Sequence, residues 1–163
     1  MYRKKMMCGL IFLSFLAASC QPKGRQHADL SSEVRDQAQK YFQIFADRQD
    51  WQALLSFYDE EIIFEDLNQD LVFEGLEAFR GFYNWPDNSF SKLSPDQAHL
   101  EIEELIVRDT VAIARGHFNP FLWHGERIEG IEDFTIWLYF NDSLKIVRQL
   151  DYIEYPVAFL PEE

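Results

Sequence analysis

Cysteine is almost missing from this 163-residue chain: Cys8 and Cys20 are its two thiols, and both lie in the first twenty residues. A disulfide framework, a thiolate nucleophile and a cysteine-rich metal site are thereby excluded from everything downstream. Histidine is scarce too. His27, His99, His117 and His124 show no paired spacing of the zinc-helix kind, so no metal is expected. No glycine-rich phosphate loop or dinucleotide fingerprint occurs, and no cofactor is expected either. Positive charge is the next shortage. Lys and Arg number 15 against 28 Asp and Glu, a formal net charge of −13 that repels phosphate backbones and excludes nucleic acid as a partner. Aromatic residues are plentiful by contrast. At 16% of the chain they exceed what an acidic disordered segment carries, so there is material for one packed core.

Long apolar runs are also lacking. In the opening MYRKKMMCGLIFLSFLAASC, the basic Arg3, Lys4 and Lys5 precede an apolar stretch from Met6 to Leu16 and a small-residue end. That is the layout of a secretory signal, too short for a bilayer span of about 20 residues. Leu16-Ala17-Ala18-Ser19-Cys20 resembles a bacterial lipobox, in which the cysteine receives fatty acyl chains such as palmitate and becomes the new first residue. The expected organisation is a signal peptide over 1–19, a polar tether with lipidated Cys20 over 20–28, and one domain over 29–163. Lipid would hold that domain at the membrane of the cell envelope.

Ser31 or Ser32 is placed to cap a first helix, whose Val34, Ala38, Tyr41, Phe42 and Phe45 make one apolar stripe. Asp50 caps a shorter helix carrying Trp51, Leu54, Leu55 and Tyr58. A brief strand at Ile62 to Phe64 turns through Asn68-Gln69-Asp70 into Val72 and Phe73, and Gly75 precedes a third helix with Leu76, Phe79, Phe82 and Tyr83. Beyond Trp85-Pro86 the pattern alternates. Four strands are predicted, over 99–107, 111–118, 128–140 and 144–155. Trp123-His124-Gly125 reads as a hairpin loop, and Glu101, Glu103 and Glu104 as a solvated face. Three helices before an antiparallel meander give an α+β domain, with helices covering one face of a curved, mainly antiparallel sheet.

The stretch YFQIFADRQDWQALLSFYDEEIIFEDLNQDLVFEGLEAFRGFY and the closing KIVRQLDYIEY resemble the nuclear transport factor 2-like superfamily, in its SnoaL-like branch. The resemblance implies a cone-shaped α+β barrel whose sheet wraps the first helix around an apolar cavity. It spans ketosteroid isomerase, limonene epoxide hydrolase and polyketide cyclases as well as members that bind or dimerise, so fold alone does not fix function. By likeness to the isomerase, Tyr41 becomes an oxyanion donor and Asp66 a general base, a sound pair for moving a proton alpha to a carbonyl. The isomerase's second acid falls on Ile136, with Asp133 three positions away on the opposite strand parity. By likeness to the epoxide hydrolase, Arg115 and His117 share a strand face from which to meet Asp151. His117 stands there in place of a carboxylate.

Each candidate has a structural reading beside the functional one. Asp66 suits a turn, Tyr41 a satisfied core tyrosine, and Arg115, His117 and Asp151 a network between strands. Trp51, Phe79 and Trp137 suit core or cavity lining. Two functions follow. One is a lipid-anchored module binding a small apolar molecule or a protein partner, with a homodimer among the options. The other is a cofactor-free isomerase, lyase or hydrolase in which Asp66 or Asp151 shuttles the proton.

Overall fold

The computed structural model describes residues 23–87, 89–129 and 133–155. The stretch expected to be a signal peptide and lipobox, Cys20 included, lies outside the described residues. Helix α1 (Lys23–Asp47) is followed by α2 (Trp51–Leu55), the hairpin β1 (Tyr58–Asp66) and β2 (Leu71–Glu74), and α3 (Leu76–Tyr83). Then come β3 (Phe90–Lys92), β4 (Leu100–Arg108), β5 (Val111–Phe118), β6 (Phe121–Trp123), β7 (Glu126–Ile128), β8 (Asp133–Phe140) and β9 (Ile146–Ile153). The expected α+β class, with N-terminal helices on a curved and mainly antiparallel sheet, is the architecture found.

The large sheet has the order β2-β1-β9-β8-β5-β4. β4, β5, β8 and β9 form the antiparallel meander, and β1 joins β9 in parallel, so the first strand closes the cone against the last. A second, three-stranded sheet, β3-β6-β7, was not expected from sequence. His124 and Gly125, at φ 48° and 83°, form the turn of its β6–β7 hairpin.

The α1 stripe packs as its spacing requires: Val34, Ala38, Tyr41, Phe42 and Phe45 are all buried in the cone. Its start differs from expectation. The helix reaches back to Lys23, into the stretch read as tether, and Ser31 serves another purpose there. The Ser31 hydroxyl accepts the Asp109 amide at 2.9 Å, fastening the β4–β5 turn to the helix. Asp50 does cap α2, accepting the Ala53 amide at 2.8 Å. The strand expected over 128–140 is divided, with β7 ending at Ile128 and β8 starting at Asp133.

Inward parity positions the polar residues. On β1, Ile62, Phe64 and Asp66 alternate to the inside, and on β9 so do Gln149, Asp151 and Ile153. On β5 the inside set is Ala112, Ala114 and Gly116. Nothing larger fits at Gly116: a Cβ there would lie 1.9 Å from the Glu101 carbonyl oxygen on β4 and 2.9 Å from the Phe134 ring.

Candidate functional site

A cavity of about 470 Å³ opens between the end of α1, α3 and the small sheet. Its walls are aromatic: Phe45, Phe82, Phe90, Phe118, Phe121 and Trp123. Five further residues bring polar atoms to that wall, namely Arg48, Gln69, Tyr83, His99 and Tyr155. His99 starts the run into β4, where its amide donates to the Ala46 carbonyl at 2.7 Å. Its ring is packed among Phe45, Phe90, Phe118 and Phe121, with centroids 4.5 to 6.0 Å apart. Burial, with the charges of Arg48 and Lys92 added, holds its imidazole well below the ordinary histidine range, so it is neutral.

Behind the wall lies a buried polar network. Asp66 and Asp151 are register partners on the parallel strands β1 and β9, 1% and 0% exposed. Asp66 Oδ1 accepts the amides of Asn68 and Gln69, each at 3.1 Å, and Oδ2 accepts the Tyr155 hydroxyl. Asp151 Oδ1 accepts from Gln149 Nε2 at 2.8 Å, and Oδ2 accepts from the Tyr83 hydroxyl at 2.9 Å. Gln149 Oε1 in turn accepts from Tyr58 at 2.6 Å and lies 3.1 Å from the Tyr41 hydroxyl, which is 2.8 Å from that of Tyr58. Two hydroxyl protons serve these three contacts, so at most two of them are hydrogen bonds at any instant.

Burial sets the proton affinities. It pushes the Asp151 carboxyl up to about 7, with the nearby Asp66 carboxylate adding to the rise and the hydrogen bonds from Gln149 and Tyr83 opposing it. Tyr41, Tyr58, Tyr83 and Tyr155 are all raised above the ordinary phenol value, burial being the main cause, so each is a neutral donor. The cluster can hold a proton near neutral pH at Asp151, and the Tyr83 hydroxyl links that carboxyl to the cavity wall.

A family model described as a SnoaL-like domain matches residues 38–149, which include the later part of the first helix, most of the cavity wall and, from the network, Tyr41, Tyr58, Asp66, Tyr83 and Gln149. The chain belongs to the SnoaL-like family. Solved structures of the same fold include a candidate SnoaL-like polyketide cyclase from Shewanella denitrificans OS-217, at TM-score 0.62 and 17% identity, covering 76% of this chain and 91% of that one. A candidate ketosteroid isomerase from Kribbella flavida DSM 17836 aligns at 0.56 and 17%, covering 81% and 84%. An LEH-like epoxide hydrolase from M. tuberculosis aligns at 0.59 and 9%, covering 76% and 84%. The search of curated proteins finds no match.

Within this SnoaL-like domain, Tyr41, Asp66 and Asp151 belong to the buried network, and none of them lines the cavity. Tyr83 and Tyr155 stand in between. Ile136 is Asp151's register partner on β8 and is fully buried, so no second acid faces the network from that strand. The expected meeting of Arg115 and His117 with Asp151 does not occur. Both point to the outer face of β5, where Arg115 meets Glu103 at 2.6 Å and His117 meets it at 3.2 Å, and these contacts hold the Glu103 carboxyl below its ordinary value. Nor do Trp51, Phe79 or Trp137 line the cavity. Phe79 is core, Trp51 packs on Phe79 and Trp85, and Trp137 is exposed on the outer face. Sequence reasoning missed Arg48, Tyr83, His99, Gln149 and Tyr155. Tyr83 shares the α3 face with Phe79, and Gln149 shares β9 parity with Asp151, so both carried a periodic signal.

Proposed function

We propose that this chain is a lipid-anchored cell-envelope protein whose SnoaL-like domain binds a small, mainly apolar molecule in the cavity walled by Phe118, Phe121, Tyr83 and Tyr155. The observation that carries the reading is the cavity itself: about 470 Å³ falls within the roughly 300–1,000 Å³ of small-molecule sites, and its lining is predominantly aromatic. The acids favour binding over direct chemistry. A general base must come within about 2.6–3.2 Å of the proton it takes, and both carboxylates are engaged behind tyrosine hydroxyls. Relatives named for polyketides and ketosteroids support a flat, apolar ligand. The anchor rests on the lipobox-like sequence ending at Cys20.

Mass spectrometry of small molecules extracted from the purified chain tests the reading. We expect one species retained by the wild type and by Asp66→Asn, and lost from Gln69→Trp, which places an indole in the cavity. No retained molecule, or equal retention by Gln69→Trp, contradicts it. For the anchor, a palmitate label should appear on the wild type and be absent from Cys20→Ala.

A second reading, a cofactor-free isomerase, lyase or hydrolase, draws on one observation. Asp151, with its carboxyl near 7, is bonded to a tyrosine on the cavity wall, a relay by which a bound molecule would lose or gain a proton. It requires turnover that Tyr83→Phe abolishes while binding persists.

A further inference from the structure

The ligand's charge can be specified, on the ligand-binding reading above. Arg48 directly follows α1 and has φ 49°, in the left-handed region that glycine enters at less cost than a residue with a side chain. Its amide closes the helix on the Ile44 carbonyl at 3.0 Å, a task glycine performs without that cost. What arginine adds is a side chain directed over the cavity, with its guanidinium 3.8 Å from the Phe90 ring centroid and 4.9 Å from that of Trp85. Burial pushes this group well below the ordinary guanidinium value, to about 10.

No carboxylate lies within ion-pair distance of Arg48 among the described residues. Four other arginines, Arg80, Arg115, Arg127 and Arg148, each hold a glutamate. Among the described residues, no Asp or Glu lines the cavity. Two buried side-chain polar atoms lack a partner among the described residues, Trp85 Nε1 and His99 Nδ1. Both belong to the same corner, since Trp85 stacks on Phe45 at 5.7 Å and His99 meets Phe45 at 5.9 Å. Cation–π contact offsets only part of the cost of desolvating a cation, and an anion in the cavity would offset the rest.

We propose that the natural ligand is an aromatic or similarly flat molecule bearing one carboxylate-type anion, which pairs with Arg48 while its apolar body lies against Phe118 and Phe121. One cation suits one negative charge. A phosphate dianion would leave charge uncompensated against apolar walls.

Calorimetric titration of the full chain with 2-naphthoate and with uncharged 2-naphthamide at pH 7 tests this. We expect wild type to favour naphthoate by about tenfold or more, the worth of one charge-assisted contact. Arg48→Gln should reduce the ratio to within about twofold, and Arg48→Lys should keep most of it. Equal affinity in the wild type, or a preference that survives Arg48→Gln, overturns the anion assignment and leaves the cavity reading standing. Binding of neither probe overturns both.

Discussion

The Tyr83 hydroxyl lies 2.9 Å from Asp151 Oδ2, and Tyr83 also forms part of the cavity wall. A buried carboxyl thus reaches the cavity through a single hydroxyl. Because that hydrogen bond favours the ionised acid, its loss in Tyr83→Phe should raise the Asp151 midpoint further, by on the order of one pH unit. Carboxyl-carbon NMR measures it directly. An unchanged or lowered midpoint would mean that the two groups are not coupled.

Asp151 also makes a stability prediction. Its folded value, raised from 3.8 to about 7, means that between those pH values the folded state keeps a proton the unfolded chain has released. Stability should therefore fall as pH rises through that window and level off above it. At about 1.4 kcal/mol per pH unit, the effect is roughly 2–4 kcal/mol. Asp151→Asn retains an acceptor for Gln149 and a donor for the Tyr83 oxygen, so its denaturation midpoint at pH 8 should exceed that of the wild type and its pH slope should flatten. A wild-type stability rising between pH 4 and pH 7 would contradict the sign.

Gln149 joins the two halves of the network, with its oxygen toward Tyr41 and Tyr58 and its nitrogen toward Asp151. Gln149→Leu preserves volume but strands buried partners on both sides, at a cost of roughly 2–4 kcal/mol in urea denaturation. A cost under about 1 kcal/mol would show that these groups find other partners.

Gly116 is a packing constraint rather than a flexible joint. With the Glu101 carbonyl 1.9 Å from any added Cβ, Gly116→Ala must push β4 away from β5, and we expect a loss of about 3 kcal/mol or more by thermal or chemical denaturation. The outward-facing Arg115→Ala, one residue away, should leave probe affinity within about twofold.

Much of the fold is legible in the sequence where periodicity is long. The α1 stripe, the Asp50 cap and β5 over 111–118 follow from spacing alone. The strands β3, β6 and β7 do not, because three residues each are too few to show alternation and their pairing is with one another. On β5, Val111 and Ile113 read as readily inward as Ala112 and Ala114. The small set is buried because α1 and the β4 backbone approach closely, a tertiary fact absent from propensity. That ambiguity sent Arg115 and His117 inward in expectation and left them on the outer face in the structure. Asp66 follows Ile62 and Phe64 inward by parity, as sequence indicates. Parity cannot say whether the inside is void or filled, and here Tyr155 and the amides of Asn68 and Gln69 occupy the carboxylate first.

The most direct measurement is a crystal structure of the chain grown with whichever naphthalene probe binds. We expect the rings between Phe118 and Phe121, with Asp66 and Asp151 still bonded to Tyr155 and Tyr83 and untouched by the probe. A probe seated on the outer sheet beside Trp137 and Tyr152, or in direct contact with the Asp66 carboxylate, would contradict the ligand-binding cavity described above.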